Sequence, residues 1–411
     1  MRKRRVAVFD ANLPTGVSMV RSLGRAGVPV TTYHHETSAM ARYSRYSGDF
    51  ELSPDLEQTN VFVEWLTDEI ETGRIDLVAP TSDLVMFNHS LVMDALGLTP
   101  PGYPTSKAVR TTLFKHQFAA ALEETGFPTP KTAAPTSIEE ALEFAAVVGF
   151  PLLIKPRSHV GAGVARGDVV RDQQQLLDTF APYPLSTVHS RALSHDPDLA
   201  WPLLQQFLDV EDLEVISVTG FLDESGEPLA LDHSRKVRQW PPTVGVGTHF
   251  VSEPAPEFSN HAVRTVQQIL GTGIFEFEVL FDRRQGRYWG IDLNPRIFGQ
   301  ASLDIARGRD LPALWYEQAT GIRLGRHVVR QPAPTDWQMR LPLGTDLAVR
   351  LLKGPRRAST AREVVSLLRA PSVGAVSDWR DPLPGLHFHR GFLRHPGGLV
   401  RPYLERQAQQ N

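Results

Sequence analysis

Residues 273–300, GIFEFEVLFDRRQGRYWGIDLNPRIFGQ, decide how the rest of the chain is read. Phe275, Phe277, Val279 and Phe281 alternate with Glu276, Glu278 and Leu280, the period of a strand whose aromatic face meets a core. The acids share the opposite face. A three-residue loop of Arg284, Gln285 and Gly286, with Gly286 where positive φ is needed, would set Asp292 opposite Glu278. Asn294 then lies on the same face as Asp292. Like charges across a sheet repel, and burial raises the cost, so a cation between them accounts for the pattern. Oxygen donors with no Cys or His nearby suit a hard ion, Mg2+ or Mn2+, whose remaining ligands are usually water and nucleotide phosphates. A solvated acidic face on an edge hairpin would show the same alternation.

Around this hairpin stand 411 residues, enough for two or three domains, with 41% apolar and 22% charged residues in the usual globular balance. A formal net charge of −3, with neither half strongly basic, argues against a nucleic-acid partner. Cysteine is absent, which excludes disulfides, a thiolate nucleophile and Cys-ligated zinc, and is compatible with a reducing cytosol. After MRKRR the apolar run ends at Asp10, too soon for a signal-peptide core. No run approaches the ~18 apolar residues of a membrane span. The expected location is cytoplasmic, with no membrane partner.

Upstream, residues 6–9, 27–33 and 76–80 read as strands, and 17–25 and 62–71 as helices. The order suggests a Rossmann-like α/β unit, yet Gly16 stands alone where a dinucleotide fingerprint needs G-x-G-x-x-G. Thr81, Ser82 and Asp83 follow the third strand, at the carboxyl end where open α/β sheets bind ligands; a helix N-cap reads the same way. Pro100, Pro101, Gly102 and Pro104 mark a domain boundary. One helix over 108–124 would expose Lys115, and another over 138–148 has a capping box of Ser137 and Glu140 and stops at Gly149.

Lys155 interrupts the apolar strand 151–156 and precedes a loop with Gly161 and Gly163. Such a lysine must reach an anion or solvent, and the loop can offer N–H groups to phosphate oxygens; an edge-strand lysine before a hairpin is the plainer alternative. Residues 203–208, 215–221 and 229–233 read as strands. In residues 234–248, Arg235, Lys236 and Arg238 with Gly245 and Gly247 suggest either a mobile anion clamp or a solvated loop. A helix over 311–320 closes at Gly321. From Gln331 the chain is rich in Arg and Pro, and His387 and His389 would share a strand face without a third metal ligand.

A helix lysine, a strand lysine with a glycine loop, a polar hinge, a basic loop and a carboxylate hairpin ending in Asn294-Pro295-Arg296 follow in the order of the ATP-grasp superfamily, which residues 105–321 resemble. The resemblance implies an α/β fold of the α+β ATP-grasp type. A Rossmann-like parallel-sheet domain, 1–104, would precede a two-lobed ATP-grasp domain, 105–330, with antiparallel sheets, a lid over 128–204 and a hinge and metal lobe over 205–330. The extension 331–411 has no assigned role. Carried over residue by residue, Lys115 and Lys155 would contact ATP phosphates under a lid of residues 158–164, including Ser158, Gly161 and Gly163. The hinge 205–208 would surround adenine with Gln205, Phe207 and the Leu208 backbone, and Asp212 or Glu211 would take the ribose. Glu278, Asp292 and Asn294 would bind two Mg2+, and Arg296 would hold the substrate carboxylate and its phosphorylated form; Lys236 and Arg238 are grouped with Arg296 as catalytic residues. Gln205 and Asp292 depart from the glutamates commoner in the family.

The implied chemistry is phosphoryl transfer to a carboxylate, then displacement of phosphate by an amine, for which lysines, Mg2+ and arginine suffice without an enzyme nucleophile. The loop KVRQWPPTVGVGT, residues 236–248, looks like that of carboxylate–amine ligases related to D-aspartate ligases. The expected partners are a small-molecule carboxylate, an amino acid or small peptide, and an amine, with a homodimer left open. A kinase or carboxylase would use the same nucleotide site, and a sensor that has lost catalysis would not need Arg296.

Overall fold

A computed structural model describes residues 3–160, 167–183, 193, 196–208, 210, 212–240, 246–324, 333–353 and 357–394. Near the N-terminus β1 (Val6–Val8), β2 (Val30–His34), β3 (Asp49–Leu52) and β4 (Leu77–Val78) form a parallel sheet in the order β3-β2-β1-β4. The chain moves outward from β1 to β3 and then returns to the other side of β1. That reversal opens a crevice between the carboxyl ends of β1 and β4. Helix Pro14–Arg25 begins with proline at its first turn, where a missing N–H costs nothing. Ser82 caps helix Asp83–Leu96 by accepting from the Val85 N–H.

The expected single helix over 108–124 is two, Ser106–Leu113 and Lys115–Glu124, separated by Phe114 in extended conformation. Phe114 is buried beside Phe87, and the Lys115 N–H bonds the Arg157 carbonyl at 2.8 Å. Packing thus outweighs helical continuity and puts Lys115 at a helix start.

β5 (Thr132–Ala133), β6 (Leu152–Pro156), β7 (Asp168–Val170) and β8 (Pro202–Gln206) make an antiparallel sheet in the order β5-β8-β6-β7. Helix Ile138–Val148 starts after Ser137 and ends at Gly149, as its capping signals predict, and packs Ala141 and Ala145 on Leu152 and Leu204. Gln205 lies in β8 of this sheet, opposite Leu153 of β6.

The largest sheet contains β9 (Glu214–Leu222), β10 (Pro228–Trp240), β11 (Val246–Ser252), β12 (Gly273–Asp282), β13 (Arg287–Asn294), β14 (Asp336–Gln338) and β15 (Ser372–Gly374). Its order is β13-β12-β9-β10-β11-β14-β15. All pairs are antiparallel except β14 with β15, which the sequence did not suggest. The C-terminal extension therefore completes this sheet. Residues 234–240 and 246–248, read above as a loop, are strand, because β10 runs on to Trp240 and pairs with β11. His387 and His389 lie on helix Pro382–Arg394, where residues two apart do not share a face.

Phe275, Phe277, Val279 and Phe281 pack with Ile216 and Val218 of β9 and with helix Ser259–Leu270, while Phe118 and Leu122 come from helix Lys115–Glu124. The opposite face is polar at β12 and β13. Gly220, central in β9, is crowded: a Cβ there would lie 2.3 Å from the Ala230 carbonyl oxygen. Gly220→Ala is expected to destabilise the sheet by about 1–3 kcal/mol, measured as a lower urea midpoint with an unchanged slope.

Candidate active site

The hairpin holds the predicted register by a different route. Its loop has four residues, 283–286, with Asp282 opposite Arg287 and Gly286 at φ 65. A bulge between Glu278 and Val279, which leaves Ile291 unpaired, shifts the pairing by one and sets Glu278 opposite Asp292 and Glu276 opposite Asn294. The longer loop and the bulge cancel.

Asp292 meets Lys115, with Nζ 2.5 Å from Oδ1. Burial pushes the Asp292 carboxyl up, but Lys115, then His159, outweigh it and hold the group down at about 2. Lys236 donates to Glu278 Oε1 at 2.7 Å. Burial lowers the Lys236 ammonium pKa, yet Glu278 more than compensates, and the net shift is upward. Arg296 donates through Nε to Asp83 at 2.5 Å, through Nη1 to the Ile297 carbonyl at 3.0 Å, and through Nη2 to Asn294 Oδ1 at 2.8 Å. Burial raises the Asp83 carboxyl, and Arg296 then brings it below its ordinary value. The Ile297 N–H bonds the Pro80 carbonyl at 3.0 Å, so the segment after β4 holds Ile297 by its backbone and Arg296 by the Asp83 side chain. Of residues 81–83, Ser82 caps the helix and Asp83 pairs with Arg296.

Lys155 differs from the other cations. Its Nζ donates to the Gln205 amide oxygen at 2.9 Å, and among the described residues no carboxylate pairs with it. Burial, then the charge of Lys115, push its pKa down to about 7. Gln205 is locked by donating to Thr132 Oγ1 at 2.9 Å. Among the described residues Lys155 thus has an amide and no carboxylate for a partner, which suits a nucleotide phosphate. Two carboxylates and an amide oxygen suit Mg2+, which relies on water and phosphate for the rest of its shell. Among the described residues no three His, Cys, Asp or Glu side chains form a cage by themselves.

Lys115, Lys155, Lys236, Glu278, Asp292, Asn294 and Arg296 thus converge. Gln205 joins them through Lys155, whereas Arg238 and Asp212 do not. Arg238 is drawn away, because the register shift at residue 237 turns it to Asp346, 3.0 Å away, and to Glu363, both on C-terminal helices. Asp212, at φ 60, pairs with Arg284 on the exposed surface at 2.5 Å rather than facing the cluster. Ser158 is buried and accepts from the Val160 N–H. Phe207 and Leu208 follow β8, with the Phe207 N–H on the Pro151 carbonyl. Gly161, Gly163, Glu211 and Gly245 lie outside the described residues. Sequence reasoning missed Glu276, Ser217, Gln300 and His159 as members of the site. The hairpin alternation flagged Glu276, but nothing local marked the others.

A family model described as the carbamoyl-phosphate synthase L chain, ATP binding domain, matches residues 115–195, a span that includes Lys115, Lys155 and Ser158. The carbamoyl phosphate synthase large chain of Thermus thermophilus is 25% identical over 225 residues, 53% of this chain and 21% of that one. Among solved structures, the biotin carboxylase domain dimer of Hydrogenobacter thermophilus 2-oxoglutarate carboxylase, in complex with MgADP, ADP and bicarbonate, has a TM-score of 0.62. Its identity is 16%, and the match covers 82% of this chain and 73% of that one. An L-amino acid ligase from Bacillus licheniformis has a TM-score of 0.58 at 14% identity, covering 78% and 75%. The sequence matches support an ATP-grasp superfamily member, and the mixed α/β fold is that of the solved neighbours. It spans between 20% and 27% of the curated carbamoyl phosphate synthases it matches. Among the described residues no helix is long and apolar enough to cross a membrane.

Proposed function

We propose that the protein is an ATP-dependent carboxylate–amine ligase that forms an amide or peptide bond through an acyl phosphate. The observation that carries this reading is the convergence of Lys115, Lys236 and Arg296 on Asp292, Glu278 and Asn294, with Lys155 held nearby on Gln205. ATP supplies the phosphoryl group and Mg2+ neutralises charge on its oxygens. Lys115 and Lys155 hold phosphate oxygens, and Glu278, Asp292 and Asn294 hold the metal. Lys236 is released from Glu278 for anionic charge that develops nearby. Arg296, already fixed on one side by Asp83, offers its remaining N–H groups to the substrate carboxylate, whose oxygen attacks the γ-phosphorus as ADP leaves. The amine nitrogen then attacks the acyl carbon, phosphate departs with the C–O bond, and the amine loses a proton. An amino acid or small peptide is the proposed carboxylate.

The test is Mg2+-dependent ADP and phosphate release over amino acids and dipeptides, singly and in pairs, with mass spectrometry of each product. Release requiring two partners, with a product mass equal to their sum less water, is expected. Release with one partner and a phosphate retained on the product would make the protein a kinase, and dependence on bicarbonate would make it a carboxylase.

A further inference from the structure

We propose that Glu276 is a positioning residue that fixes the Asn294 amide with its oxygen toward the metal site. This rests on the reading of Asn294 as a metal ligand. Glu276 is only 5% exposed and stands directly opposite Asn294 in the hairpin. Three neutral donors reach it: the Ser217 hydroxyl at 2.8 Å and the Gln300 amide, both on Oε1, and Asn294 Nδ2 at 3.1 Å from Oε2. Asp83, Glu278 and Asp292 each hold a cation within 2.5–2.7 Å, whereas among the described residues no lysine or arginine pairs with Glu276. Packing does not explain such a group, because a buried carboxylate without a cation costs more than a neutral side chain of the same size.

The arrangement does fix one thing. Burial, then the charge of Glu278, push the Glu276 carboxyl up to about 7; once ionised it only accepts hydrogen bonds, and a guanidinium only donates them. Asn294 lies between Glu276 and Arg296, so its Nδ2 must face the first and its Oδ1 the second. Turned over, the amide would set oxygen against oxygen and N–H against N–H. An amide oxygen ligates a hard cation and an amide nitrogen does not. Ser217 on β9 and Gln300 before helix Ala301–Ala306 hold the Glu276 carboxylate from behind, so the orientation is set by groups on three elements. Glu276 and Asp83 thus end one line of hydrogen bonds, Glu276–Asn294–Arg296–Asp83.

The test measures Mn2+ binding by electron paramagnetic resonance, in the full chain with ADP, for Glu276→Leu and Glu276→Gln. Leucine removes the acceptor, whereas glutamine keeps one oxygen for Asn294 Nδ2. Glu276→Leu is expected to weaken Mn2+ binding about 10- to 100-fold, and Glu276→Gln by no more than about threefold, as for a partner that orients a ligand. Metal-free ADP binding should be unchanged in both. In an Asn294→Ala background the leucine substitution should add no further loss. Wild-type Mn2+ affinity in Glu276→Leu would overturn the proposal. So would equal losses in both variants, since the charge itself, and hence direct ligation, would then matter. Should Glu276→Leu fail to fold, Glu276→Ala carries the same expectations. A wild-type protein that binds ADP but no Mn2+ would instead remove the metal-site reading itself.

Discussion

Glu278→Gln is expected to lower ADP release by roughly 10³-fold while leaving a folded protein, since a metal ion that stabilises transition-state charge contributes several kcal/mol. Glu278 faces Asp292 across the hairpin, and each carboxylate is met by a lysine, Lys236 and Lys115. Glutamine keeps an acceptor for the Lys236 ammonium, so the local hydrogen bond survives. What it removes is one of two negative charges available to a cation. The loss should therefore fall on turnover and on the Mg2+ concentration needed for half-maximal rate, with the melting temperature within a few degrees of wild type. Turnover equal to wild type would take Glu278 out of the metal site and leave the pair with Lys236 as structural.

The register on which this prediction rests was legible because side-chain period and turn chemistry are local. Phe275, Phe277 and Phe281 mark one face, and Gly286 needs positive φ. The bulge at Ile291 was not legible, because nothing in its own sequence demands an unpaired residue. Its effect was hidden by the loop being one residue longer than expected. Phe114 shows the limit of helical periodicity: the break that places Lys115 at a helix start comes from burial against Phe87 and a bond to Arg157. Arg238 shows the limit of charge patterning. Beside Lys236 it reads as part of one clamp, yet a register shift sends the two cations to partners on different elements. Asp83 lies 213 positions from Arg296, on a different sheet-bearing unit, and only the fold joins them. The parallel first sheet followed from the order of strands and helices, and the two antiparallel lobes from the resemblance to the ATP-grasp superfamily. The role of residues 331–411 in extending the third sheet did not, since β14 and β15 have three residues each and carry too short a pattern to read.

Lys155→Met is expected to weaken nucleotide binding about 10- to 100-fold, the worth of one charge-assisted hydrogen bond, and to remove a proton that binding otherwise takes up. Burial, followed by the charge of Lys115, holds the Lys155 pKa near 7, against 10.5 for an ordinary lysine. Its partner is the neutral Gln205 amide. A phosphate beside Lys155 favours the charged form and raises this pKa again. The sign follows: well above pH 7 the free protein holds Lys155 largely neutral and the complex holds it charged, so ADP binding consumes up to one proton. Well below pH 7 Lys155 is charged in both states and takes up nothing. Affinity should therefore fall as pH rises above 7, until the raised pKa of the complex is reached. Calorimetric titration of ADP at pH 8.2, in buffers of different ionisation enthalpy, reads the proton directly, because the last phosphate ionisation, near about pH 6, is then complete. Uptake in wild type and none in Lys155→Met places the ammonium on the nucleotide. Equal affinity and equal proton uptake in the two proteins would return Lys155 to the role of a strand lysine satisfied by Gln205, with the phosphates held by Lys115 and the residues that follow β6.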